Sequence, residues 1–209
     1  MVSLSGFYKD FTDPIEKVFF LQAPTQVTVD NLGSAKVYGV ELEFRQRLGF
    51  ISEGFDKFKL NGNVSIMKSE LEMEENEFNS RSNAARAGES ISNTRDLQGQ
   101  SPFLINAGLD YVNTELGMEA GLYYNVQGET LEIVGTGDVP DVYSKPFHSL
   151  NVTLNKTLGK ESKSKIDLKL KNMLNQKRES VYQSFNALEQ LYSSRTPGFE
   201  FSLGYTYKF

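Results

Sequence analysis

From Phe199 to Phe209 the side chains alternate without a break. Phe199, Phe201, Leu203, Tyr205, Tyr207 and Phe209 fall on one side; Glu200, Ser202, Gly204, Thr206 and Lys208 fall on the other. A period of two marks an extended strand, whose successive side chains point to opposite faces. A helix needs apolar recurrences at three and four, so this stretch has no helical stripe to bury. The same alternation recurs upstream, as in Tyr38, Val40, Leu42 and Phe44 or Met118, Ala120, Leu122, Tyr124 and Val126. About eight strands are predicted, near 2–11, 35–48, 56–69, 102–113, 117–129, 147–158, 164–174 and 198–209, the first alternating least cleanly.

The connections sort by length. Those after the second, fourth and sixth strands are tight, at 49–55, 114–116 and 159–163. The others are long, at 12–34, 70–101, 130–146 and 175–197. Alternate connections of an antiparallel meander lie at the same end, so one end carries tight turns and the other carries every long segment. Outer-membrane barrels are built this way, with strands of roughly 9–11 residues or more. The predicted class is all-β, an antiparallel up-and-down transmembrane β-barrel wall of about eight strands.

Composition agrees once the period is known. Hydrophobic residues are 39% of the 209, and no run of about 18 apolar residues exists for a membrane-crossing helix. A barrel strand needs only every second residue to be apolar. The net charge of -5, without a basic stripe, argues against nucleic-acid binding. The absence of Cys excludes disulfides, thiolate metal sites and a Cys nucleophile. The first residues have neither the basic flank nor the apolar core of a signal peptide. Glu41, Glu43, Arg45, Lys59, Asp110 and Glu119 fall on the polar face and are the lumen-facing candidates, with Arg47, Asp167, Lys169 and Lys171 beside them. A sheet with one face in bulk water has the same alternation. A soluble ligand-binding β-barrel and a complete eight-stranded membrane barrel, serving as adhesin, anchor or binding protein, therefore stay open.

Little in the chain points to catalysis. Residues 70–77 are acidic but lack the spacing of a calcium loop, and read as a solvated charged loop. His148 is the only histidine and is expected at a membrane interface near the long-loop end. Gly135–Asp138 lacks the spacing of a phosphate-binding loop and reads as a turn. No enzyme, metal or cofactor is expected. Phe78, Arg81, Arg86, Arg95, Tyr182, Phe185, Tyr192 and Arg195 either contact an extracellular ligand or cover the barrel mouth.

Seven segments carry a family resemblance: FYKDFTDPIE (7–16), GSAKVYGVELEF (33–44), RDLQGQSPFLINAGLDY (95–111), YYNVQGE (123–129), VPDVY (139–143), LKNMLNQK (170–177) and PGFEFSLGYTYKF (197–209). In this order they resemble the C-terminal barrel portion of TonB-dependent receptors. The aromatic stripe Phe201, Leu203, Tyr205, Tyr207 and Phe209 is similar to the C-terminal signal read by the barrel assembly machinery. The resemblance implies a Gram-negative outer membrane, a lipid-facing wall, and a barrel of about twenty-two strands with a plugged lumen. It also implies that residues 1–209 are the C-terminal part of that barrel without its plug. The partners implied are outer-membrane lipid, the assembly machinery, a plug domain, TonB and an unidentified scarce ligand such as a metal chelate, cobalamin or an oligosaccharide.

Overall fold

Side-chain alternation organises the wall directly. The computed structural model describes residues 1–20, 22–159 and 163–209. Strands are numbered in chain order. Eight of them, β1 (Val2–Thr12), β4 (Ser34–Arg47), β5 (Phe58–Glu72), β7 (Phe103–Asn113), β8 (Met118–Gln127), β11 (Phe147–Leu158), β12 (Ser164–Lys171) and β15 (Glu200–Tyr207), pair in that order as an antiparallel meander. Their edges are β1 and β15, so the barrel wall is open. Each coincides with a predicted strand to within a few residues. One row shows the register: Leu60, Leu109, Leu122, Val152, Leu170 and Phe201 lie directly opposite one another across six strands. Slipping any strand by one residue would turn its apolar set to the other face.

The tight ends have local causes. Residues 48–55 form two 3-10 turns, Leu48–Phe50 and Glu53–Phe55. A Cβ on Gly49 would meet Asp56 Oδ1 at 1.5 Å, so any other residue there would have to push the Asp56 side chain aside. The next turn closes through Gly117, at φ 58°, whose N–H donates to Thr114 O at 3.1 Å. The third predicted turn, 159–163, lies in part outside the described residues.

The long connections differ from the expectation of loops. They fold into a second layer, the hairpin β2 (Ile15–Phe20) and β3 (Ala23–Asn31), helix α1 (Glu75–Asn83) and a four-stranded sheet of β14 (Gln190–Arg195), β13 (Arg178–Gln183), β10 (Asp141–Ser144) and β9 (Thr130–Ile133), while short β6 (Thr94–Arg95) pairs with the end of β5. A parallel bridge between Val18 and Val134 links hairpin to sheet. The buried apolar clusters gather at this end. Ala35, Val37, Leu71, Met73 and Leu97 pack with Phe7 and Phe78, and Phe19, Ile133 and Val142 pack with Tyr182 and Tyr192. Phe7 points to the polar side of β1 to reach the first cluster, which is why β1 alternates poorly.

The acidic stretch 70–77 is likewise no solvated loop. Leu71 and Met73 are buried, and Glu75 and Glu77 begin α1, where carboxylates complement the helix dipole. Strand β12 stops at Lys171, short of the predicted 174, because Asn172 and Asn175 turn left-handed at φ 51° and 48°. Among the described residues, no helix is long and apolar enough to cross a membrane, which says nothing of crossing by strands.

Candidate functional site: the polar wall and the mouth

Glu41, Glu43, Arg45, Lys59, Asp110 and Glu119 share one face of the sheet by register, opposite the apolar rows. Small polar side chains fill the spaces between them. Asn63, Asn106 and Asn125 lie side by side across three strands and are linked by their amides. Asn106 Nδ2 donates to Asn63 Oδ1 at 2.6 Å, and Asn125 Nδ2 donates to Asn106 Oδ1 at 2.5 Å. Asn151 Nδ2 continues the chain to Asn125 Oδ1 at 3.3 Å. Towards the tight turns, Tyr123 also lies on this face. Its hydroxyl donates to Asp110 Oδ1 at 2.6 Å, while Asn61 Nδ2 donates to Asp110 Oδ2 at 2.8 Å. Glycine makes room for the ring: a Cβ on Gly121 would lie 2.4 Å from Tyr123 Oη.

On the apolar face, Phe201, Leu203, Tyr205 and Tyr207 are all exposed, and among the described residues β15 pairs only with β12. Phe209 lies past the strand with its ring 5.3 Å from that of Tyr207, edge to face. His148 shares this face at the long-loop end of β11, where its Nδ1 lies 2.5 Å from Tyr124 Oη.

An ionic ladder crosses the mouth through three of the long connections. Glu16 of β2 binds Arg95 of β6, Arg95 binds Glu77 of α1, Glu77 binds Arg81, and Arg81 binds Asp141 of β10. Arg81 grips Asp141 through both terminal nitrogens, at 2.9 and 2.8 Å. Asp141 Oδ1 also accepts the Gly135 N–H at 2.7 Å, fixing the turn at residues 135–138. Burial alone would lower the Arg81 pKa, but Asp141 and Glu77 outweigh it and hold the group above its ordinary value. Burial raises Asp96, next to the ladder, against the lowering charges of Lys68 and Arg95. Burial also pushes the Tyr143 hydroxyl well up, with Asp141 adding to the effect.

The eight loop residues thus separate. Phe78, Arg81, Arg95, Tyr182 and Tyr192 are engaged in packing or ion pairs at the long-connection end. Arg86 and Phe185 line a cavity of about 280 Å³ beside α1, and Arg195 lines another of about 460 Å³ between the upper sheet and the rim of the wall. Sequence reading gave no sign of the ladder. Among the described residues, no cluster of His, Cys, Asp or Glu is placed to hold a metal.

The family model for the TonB-dependent receptor-like beta-barrel matches residues 1–175. The chain belongs to that family. Solved structures share the fold of this receptor barrel. They include the ferric yersiniabactin uptake receptor FyuA from Yersinia pestis, at 16% identity and a TM-score of 0.62 over 100% of this chain. The ferric citrate transporter FecA, unliganded, matches over 98% at 12% identity and a TM-score of 0.65. The copper transporter OprC matches over 100% at 16% identity and a TM-score of 0.59. This receptor barrel spans 28% of the length of each. No curated protein sequence matches it. The family is one of outer-membrane receptors and transporters.

Proposed function

We propose that residues 1–209 form the C-terminal part of the barrel of a TonB-dependent receptor that imports a large, scarce ligand across a Gram-negative outer membrane. The observation that carries this is the two-faced wall with every long connection at one end, in a chain of this family. The apolar rows face lipid, and the long connections face the outside. Glu41, Glu43, Arg45, Lys59, Asp110 and Glu119 face the lumen, where a plug domain coupled to TonB would sit. The free edges β1 and β15 suit pairing with further strands of a larger barrel. The stripe from Phe201 to Phe209 serves the assembly machinery, since an unpaired strand edge recruits by strand addition. The ligand belongs among metal chelates, cobalamin and oligosaccharides.

The chain has no cysteine, so single cysteines report orientation cleanly. In intact Gram-negative cells, a membrane-impermeant thiol reagent is expected to label Ser184→Cys at the loop end and to spare Thr114→Cys at a tight turn. Uptake of radiolabelled ligands of the three classes, compared with and without TonB, tests transport by the whole receptor. Labelling of Thr114→Cys alone, or recovery of the chain in the soluble fraction, contradicts the proposal.

A further inference from the structure

The larger mouth cavity carries a charge arrangement that folding alone does not explain. Arg178 and Arg195 lie directly opposite each other on β13 and β14. Like charges facing across an antiparallel pair are destabilising. Among the described residues neither forms an ion pair with a carboxylate, unlike Arg81 and Arg95. Arg178 is nevertheless held in place, with its guanidinium carbon 3.9 Å from the centroid of the Phe147 ring. The next row on the same sheet face is made of hydroxyls: Thr130, Ser144, Ser180 and Ser193 stand opposite one another across all four strands. Lys17 lines the cavity from β2. Its acidic lining has partners of its own: Glu132 accepts from Ser180 Oγ at 2.5 Å, and Glu179 accepts from Ser194 Oγ at 3.2 Å. The volume of about 460 Å³ is in the range of small-molecule sites.

We propose that this cavity binds an oxyanionic group, a carboxylate or a phosphate, held between the Arg178 and Arg195 guanidiniums with the Ser193 hydroxyl beside it. Planar guanidinium forks match such groups in pairs of hydrogen bonds. The inference rests on the receptor reading only for where the anion comes from.

The test is titration calorimetry on the full chain refolded in detergent. The probes are citrate for carboxylates, inorganic pyrophosphate for phosphates, and maltotriose as a neutral control. Citrate or pyrophosphate is expected to bind more weakly as salt rises, and at least tenfold more weakly to Arg178→Gln and to Arg195→Gln. Arg86→Gln, at the other cavity, is expected to bind as the wild type does. Arg195→Lys, which keeps the charge, is expected to lose less than Arg195→Gln and covers the case in which the glutamine variant misfolds. Binding of maltotriose alone, no anion binding, or equal binding by all variants overturns the site. Outer-membrane insertion is scored separately. A chain that inserts but binds no anion refutes this site and leaves the receptor reading standing; one that binds anions but does not insert does the reverse.

Discussion

Glu16 and Arg95, 79 positions apart in the chain, meet at 2.6 Å with side chains only 1% and 7% exposed. This pair opens the ladder that ends at Asp141, so hairpin, helix and upper sheet share one set of buried charges. Removing Glu16 leaves Arg95 paired with Glu77 alone and strips the Gln98 N–H of its acceptor, so the tie between the hairpin and the rest of the ladder is lost. Glu16→Ala is therefore expected to speed amide exchange together in 15–31, 75–95 and 130–144, with the wall strands unchanged. Exchange confined to β2 would show that the segments move independently.

Asp96 provides a pH test. Burial raises its folded-state pKa above the ordinary carboxylate value. The folded chain thus holds this proton more tightly than the unfolded chain does. The favourable contribution is present below the unfolded pKa and is lost as pH rises through the folded one. At neutral pH the charged carboxylate is a net burden, a small one because residue 96 keeps much of its surface in solvent. Asp96→Asn is expected to raise the melting temperature of the second layer at pH 7. The gain is expected to vanish on acidification below the ordinary carboxylate range. A gain independent of pH would contradict this cause.

Tyr123 lies against Gly121, where a Cβ would sit 2.4 Å from its hydroxyl. Gly121→Ala is expected to displace the ring from Asp110 and to cost about 1–3 kcal/mol, the usual range for overpacking. Tyr123→Phe, which keeps the ring and loses only the hydrogen bond, is expected to cost about 0.5–1.5 kcal/mol. Urea unfolding in detergent micelles gives both values. A Gly121→Ala variant as stable as wild type would mean the ring has another place to go.

The two faces of the wall should respond unequally to charge. Leu122 stands mid-row between Leu109 and Val152. Leu122→Arg is expected to cost about 2–4 kcal/mol, as for a cation on the lipid face near the bilayer midplane. Asn155→Lys lies on the other face, opposite Glu119 and Asp167, and is expected to be tolerated. The fraction of heat-modifiable, folded chain after refolding into bilayers ranks the two. Equal tolerance would sink the assignment of faces.

Residues such as Leu122 and Val152 were legible because alternation is a one-dimensional signal: each residue's face follows from its neighbours two places away. The strand limits were less so. Met173 and Leu174 prolong the apolar character of β12, but the left-handed Asn172 has already ended the strand. The second layer was nearly invisible. Its strands are short, and its stabilising pairs, such as Glu16 with Arg95, join residues far apart in the chain. Arg81 and Arg95 stood out as candidates by residue type alone, and no local pattern tells a ligand-binding arginine from one paired with a distant carboxylate.

The central claim is that alternate residues of the wall strands face lipid. The chain has no tryptophan, so single substitutions along β8 give an unambiguous signal. The measurement is fluorescence quenching by brominated phospholipid of Ala120→Trp, Leu122→Trp, Tyr124→Trp and Val126→Trp against Gly121→Trp, Tyr123→Trp and Asn125→Trp, each refolded into bilayers. The structure predicts strong quenching in the first set and weak quenching in the second, alternating residue by residue. Equal quenching in both sets, or none in either, would contradict the wall.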